Sequence, residues 1–155
     1  NENANLNFQD VDVAEIVRTV VTDVSLAAQK KGISLEVNIP EEMPMQGDAS
    51  LLYSIFRNIV DNAIKYTQAG GIDISFSASE MFLRIDIKDT GIGIAEEELS
   101  KIFGRFYRSA EVSREQGVGI GLYLAREILA AEGGYIKVSS KPDKGSVFSV
   151  FLPVK

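Results

Sequence analysis

Residues 58–67 read Asn58, Ile59, Val60, Asp61, Asn62, Ala63, Ile64, Lys65, Tyr66, Thr67. Wound as a helix at roughly 100° per residue, Asn58, Asn62 and Lys65 fall within about 60° of one another. Ile55, Phe56, Ile59, Val60 and Ala63 fill the adjoining sector. Such a helix buries one flank and lines the edge of that flank with two amides and an ammonium. Amides at i and i+4, with a Lys three positions on, suit a hydrated cation and the phosphates that accompany it. A solvated polar edge has the same pattern, so the helix by itself leaves both readings open.

Composition narrows the choice. The chain has 155 residues, of which 45% are hydrophobic and 25% charged, the proportions of one globular domain. That domain is expected to span 1–155, with 1–5 as a linker remnant. The net charge of -6 argues against a nucleic-acid groove, which needs a positive face. A single anionic ligand remains compatible if the positive groups are local or a metal accompanies it. No Cys is present, so disulfides and thiolate metal sites are excluded, and no His, which removes imidazole bases, the usual zinc sites and any phosphohistidine on this chain. No apolar run approaches the length of a membrane span, so a cytoplasmic fragment without membrane contact of its own is expected.

Leu6, Phe8 and Val11 alternate as a short edge strand would. Asp12, three residues before Glu15, starts a helix in the manner of a capping box, and the helical period runs to Lys30 before Gly32. Ser34 to Ile39 alternates as a strand, Pro40 to Gly47 reads as a loop, and Asp48 is a good N-cap for the asparagine helix. That helix is predicted to end near Thr67. Strands are predicted over Ile72 to Ser77 and Phe82 to Lys88, with a hairpin link at Ser79 and Glu80. Thr90 to Gly117 reads as a lid or insert with a short helical signal from Ala95 to Phe103. A helix from Ile120 to Ala131 and strands Tyr135 to Ser140 and Ser146 to Leu152 complete the chain. The order predicts an α/β two-layer sandwich, a mixed sheet with three main helices on one face.

Two glycine motifs carry chemistry. In Asp89-Thr90-Gly91-Ile92-Gly93-Ile94 a carboxylate follows a strand, where it can accept from an exocyclic amine, and Gly91 and Gly93 let a flat ring approach the backbone. An ordinary turn also fits. Adenine suits that acceptor and guanine, with O6 facing it, does not. Gly117, Gly119 and Gly121 open a helix, where free N–H groups and the dipole receive phosphate. The spacing is neither the dinucleotide fingerprint nor a G-x-x-x-x-G-K loop. Glu96, Glu97 and Glu98 fit a solvated first helical turn better than a metal site. Phe103, Phe106 and Tyr107 read as a plug that seats the lid. Arg105, Arg108 and Arg114 are candidates for a terminal phosphate or are solvated charges.

The asparagine helix, D-T-G-I-G-I, I-F-G-R-F-Y-R and G-V-G-I-G-L, in that order and with these gaps, resemble the catalytic ATP-binding domain of bacterial sensor histidine kinases over about Phe8 to Pro153. The resemblance implies a Bergerat-type sandwich that binds ATP and magnesium between the asparagine helix and a lid at 94–117. It assigns magnesium to Asn62, with Asn58 in support, phosphate contacts to Lys65, and adenine contacts to Tyr66, Asp89, Gly91 and Gly93. Gly117, Gly119 and Gly121 would cradle phosphate, Phe103 and Phe106 would be the lid phenylalanines, Arg105 and Arg108 lid arginines, with Arg108 nearest the γ-phosphate, and Ser146 a hydroxyl near the base. Asn58, Lys65 and Arg108 would be the catalytic set.

The same resemblance implies partners: a histidine-bearing dimerisation domain, a response regulator indirectly, and a parent protein anchored in the plasma membrane. Related gyrase-type, chaperone and mismatch-repair ATPases carry a Glu at the position of Asn58 that polarises water. An amide there favours phosphotransfer over hydrolysis. A regulatory module without transfer and a hydrolytic ATPase are the alternatives. The chain departs from the family pattern at Glu132, where a His is frequent, and at Asp143, where a Gly is common. Neither is expected to touch the site.

Overall fold

The computed structural model describes residues 7–99, 101–103 and 121–154. The first helix, α1 (Val13–Lys31), follows a short strand β1 (Gln9–Asp12) and begins where Asp12 Oδ1 accepts the free N–H groups of Ala14 and Glu15. The same oxygen accepts from Met43 N at 2.8 Å, which ties the helix start to the chain 31 residues on. No reciprocal bond from Glu15 back to Asp12 forms among the described residues, so half of the expected capping box is made. Gly32 ends the helix in the left-handed region at φ 75, where a Cβ would be strained.

Strand β2 (Ser34–Asn38) runs as predicted, but the expected loop before the asparagine helix contains a strand, β3 (Pro44–Gly47). It pairs antiparallel with β1, and the two form a separate two-stranded sheet. The expected edge strand thus exists a few residues later than Leu6 and is not an edge of the main sheet. Helix α2 (Ala49–Tyr66) follows, then the hairpin β4 (Gly71–Ala78) and β5 (Phe82–Asp89), closed by Ser79 Oγ accepting from Phe82 N at 3.2 Å. The predicted helical signal over Ala95 to Phe103 is one turn, α3 (Glu96–Leu99). Its three glutamates are half-buried or exposed, and among the described residues no group of three or more acidic side chains forms a metal site. Helix α4 (Gly121–Ala131) and the hairpin β6 (Tyr135–Ser140) and β7 (Ser146–Pro153) end the fold.

The five-stranded sheet has the order β2-β4-β5-β7-β6. Only β2 and β4 run parallel; the other neighbours are antiparallel. Alternate residues Ile72 and Ile74, Leu83, Ile85 and Ile87, and Phe148, Val150 and Leu152 are buried beneath the helices. The opposite face carries Asp73, Arg84 and Lys88, an alternation expected of a sheet covered on one side. Helices α1, α2 and α4 supply the facing layer through residues such as Val17, Val20, Ile55, Phe56, Ile59, Ala125 and Leu129. No helix among the described residues is long and apolar enough to cross a membrane.

Candidate functional site

Asp48 fixes the start of α2: its Oδ1 accepts from Leu51 N at 3.2 Å, as an N-cap does. From there the helical period turns Leu52, Ile55, Phe56, Ile59, Val60, Ala63 and Ile64 into the core. Asn58, Asn62, Lys65 and Tyr66 are left half-buried along the margin. Among the described residues no side chain or backbone group hydrogen-bonds the side chains of Asn58, Asn62 or Lys65. Half-buried amides without partners are unfavourable unless water or a ligand completes them. At its far end α2 is secured by Lys31 of α1, whose Nζ donates to Ile64 O at 2.7 Å and Lys65 O at 3.1 Å. A helix C-terminus favours such a cation.

The last turn of α2 docks onto the loop after β5, with Ile92 N donating to Tyr66 O at 3.2 Å. Asp89, at the end of β5, is 5% exposed. Its Oδ1 accepts from Gly91 N at 2.8 Å and Ser146 N at 3.3 Å. Among the described residues nothing donates to Oδ2. Burial pushes the carboxyl above its ordinary range, and the two N–H groups oppose that push. An acceptor oxygen in a desolvated setting is what an exocyclic amine requires.

The loop is held from a second side. A Cβ at Gly93, where φ is 74, would overlap Lys141 O of the β6–β7 turn, and one at Gly91 would overlap Tyr66 O. Both glycines are therefore required by close backbone packing. Asp143 N donates to Ile92 O at 2.6 Å, with Asp143 at φ 64. Ser140 Oγ donates to Gly145 O and accepts from Ile94 N, both at 2.8 Å, and lies 2.8 Å from Ser146 Oγ. The expectation that Asp143 stays clear of the site is thus corrected: its turn buttresses the loop that follows Asp89.

Tyr66, Asp89, Gly91, Gly93 and Ser146 are brought into one connected region. On a rise of about 1.5 Å per residue, Asn62 lies about 6 Å and Asn58 about 12 Å back along α2 from Tyr66. Gly121 opens α4. Phe103 packs against the core with the Arg126 guanidinium 5.4 Å from its ring centroid, a cation–π contact that anchors the chain leading out of α3. Arg105, Phe106, Arg108, Gly117 and Gly119 lie outside the described residues. Two groups escaped sequence reasoning. Thr67, which ends α2, is fully buried and its Oγ1 has no hydrogen-bond partner among the described residues. Ser140 joins Ser146 to Ile94 and would have been found only from the pairing of β6 with β7.

Residues 47–155 match the model of the family described as histidine kinase-, DNA gyrase B- and HSP90-like ATPases. The chain is 35% identical over 150 residues to the sensor-like histidine kinase SenX3 of Mycobacterium tuberculosis H37Rv, covering 95% of this chain and 37% of that protein. It is 36% identical over 149 residues to the adaptive-response sensory kinase SasA of Thermosynechococcus vestitus, covering 94% of this chain and 39% of the other. The chain therefore spans about two fifths of the length of these relatives. Among solved structures, the catalytic domain of histidine kinase ThkA superposes with a TM-score of 0.84 at 26% identity, covering 96% of this chain and 98% of that one. Full-length ShkA in complex with AMPPNP superposes with a TM-score of 0.86 at 30% identity, over 97% of this chain and 32% of that one. The chain belongs to the histidine kinase-, DNA gyrase B- and HSP90-like ATPases, and its mixed five-stranded sheet under one helical layer has the fold of histidine kinase catalytic domains.

Proposed function

We propose that this domain holds ATP with magnesium between the polar edge of α2 and a lid at 94–117, and donates the γ-phosphoryl group to a histidine on a separate dimerisation domain. The observation that carries this reading is the set of three half-buried side chains, Asn58, Asn62 and Lys65, without hydrogen-bond partners among the described residues, on the helix whose last turn grips the loop of Asp89. ShkA, similar over almost the whole chain, was crystallised with an ATP analogue, which supports the same ligand here.

Asp89 Oδ2 accepts the adenine amine, Tyr66 lies against the ring, and Ser146 and Gly91 hold the carboxylate in place. Gly93 and Gly145 keep the base loop seated on the β6–β7 turn. Asn62, supported by Asn58, would hold the magnesium ion through its amide oxygen, beside phosphate and water oxygens. That donor set fits magnesium, which keeps waters and leans on substrate phosphates in preference to an all-protein cage. When bound, the ion neutralises phosphate charge. Lys65, Arg105, Arg108 and the N–H groups at Gly117, Gly119 and Gly121 add donors to the triphosphate. Phe103 and Phe106 fasten the lid.

The acceptor nitrogen attacks phosphorus as the bond to the β-phosphate oxygen breaks, leaving ADP. Asn58 has no basic site to take a proton from water, so hydrolysis is slow and the phosphoryl group is kept for that nucleophile. Because the chain contains no His, the acceptor comes from another domain, and a response regulator stands downstream of it. On this reading the domain works in the cytoplasm and its parent protein is anchored in the plasma membrane.

Mixing the domain with its dimerisation domain and γ-labelled ATP is expected to label histidine. ATP binding without any label on histidine overturns phosphotransfer and leaves the regulatory module. Rapid phosphate release by the isolated domain favours the hydrolytic ATPase.

A further inference from the structure

Glu132 is the residue after α4, and it is 7% exposed. Its Oε2 accepts from Asp48 N at 3.4 Å, 84 residues earlier in the chain, and Asp48 is the N-cap of α2. One helix end is thus bonded to the other. Asp48, 8% exposed, has its own carboxylate engaged on both oxygens, by Leu51 N at 3.2 Å and Asn7 N at 2.8 Å. Helix α2 has no acidic residue in its first turn, although its positive end favours one. A further acceptor for that end is brought in from the end of α4.

Local structure holds Glu132 in that position. The chain leaves α4 through Gly133 at φ 87, and Glu132 N donates to Leu129 O at 3.0 Å. On the other side a Cβ at Gly47 would lie 3.4 Å from Glu132 Oε1 and 2.9 Å from Leu52 Cδ1. The bare glycine lets the carboxyl close on the peptide of Asp48. Around it opens a cavity of about 320 Å³ lined otherwise by Phe8, Val13, Met45, Gln46, Leu52, Leu152 and Pro153. Asp48 is the one other titratable group facing Glu132 among the described residues, and no cation pairs with either.

We propose that Glu132 is a positioning residue for the nucleotide site: by clamping the end of α4 to the start of α2 it sets the registry of the two helices that carry Gly121 and the asparagine edge. The proposal rests on the reading of that edge as a nucleotide site. The two helices pack directly on one another, and a hydrogen-bonded helix moves as a rod, so a shift at the clamped ends reaches Asn58 and Asn62. Glu132 sits at the negative end of its own helix and beside a second carboxylate. Burial, with the charge of Asp48, pushes its pKa from 4.5 to about 7, against the opposing N–H of Asp48. The clamped form therefore holds a proton up to about pH 7, whereas a released, solvated Glu132 would lose it near 4.5. Raising the pH from about 4.5 to about 7 favours release by linkage, and above 7 the balance no longer changes.

The test compares ATP affinity, by calorimetry with magnesium present, of the wild-type domain and E132Q from pH 4.5 to 8.5. Phosphate ionisation is common to both proteins and cancels in their ratio. The amide keeps an acceptor for Asp48 N and never ionises, so the E132Q affinity is expected to exceed that of the wild type by threefold or more at the upper pH and to match it at the lower. A ratio that does not change with pH overturns the proposal. Should neither protein bind ATP, the function reading fails, and thermal unfolding decides the clamp. A wild-type midpoint that falls relative to that of E132Q between about pH 4.5 and 7 and levels off above 7 supports it, and parallel profiles refute it. If E132Q does not fold, D48N, which removes the repelling charge and keeps the cap, is expected to shift the wild-type inflection to lower pH, and an unmoved inflection refutes the clamp.

Discussion

Asp89 must stay available as an acceptor in surroundings that disfavour its charge. Burial raises its pKa, and the N–H groups of Gly91 and Ser146 hold the ionised form in place through Oδ1. In the proposed site, removing the carboxylate would delete a charge-assisted bond to the base, worth about 1.5–3 kcal/mol. Asp89→Ala is accordingly expected to weaken ATP binding by about ten- to a hundredfold while circular dichroism stays native; unchanged affinity by calorimetry would place the base elsewhere. For Asn62 the expected signature is metal dependence. Chelating magnesium should lower the ATP affinity of the wild type, and in Asn62→Ala the affinities with and without magnesium should converge, as read by titration. Asp89 was legible in the sequence because a carboxylate followed by small residues ends an alternating strand. Thr67 was not, because the burial of a hydroxyl and the absence of its partner are properties of packing.

Among the elements, α1 and α2 were read from their apolar period and caps, since Asp12, Gly32 and Asp48 act through residues close in sequence. Replacing Asp12 by Ala removes the cap and the bond to Met43 N; a loss of about 1–2 kcal/mol is expected from the shift in urea midpoint. Gly93→Ala places a Cβ against Lys141 O at a positive φ. It is expected to cost more than about 1 kcal/mol and to speed amide exchange in the β6–β7 turn, a local effect that hydrogen exchange resolves. Strand β3 was missed for a physical reason. Pro44, Met45, Gln46 and Gly47 have little intrinsic strand preference, and their strand exists because β1 lies alongside, more than thirty residues away in the chain.

For the molecule as a whole, stability resides in the layer between helices and sheet and not in surface ion pairs. Ile85 sits at 0% exposure on the central strand, so Ile85→Ala should cost about 2–5 kcal/mol. Arg57, paired with Asp61 at 3.0 Å but with both side chains well exposed, should cost under about 1 kcal/mol when changed to Ala. Urea denaturation of the two variants checks the contrast. The sequence by itself determined the three main helices, all five strands of the main sheet, the two-layer class and the order of the motifs, because periodicity, caps and glycine spacing are local signals. It also set the chemistry on offer: amides at 58 and 62, a carboxylate at 89, and no histidine. Only the tertiary structure decided that Asp143 supports the loop after Asp89 and that Glu132 reaches the cap of α2. Those contacts join residues between 51 and 84 positions apart, and their energies come from burial and from backbone groups that meet only when the layers close.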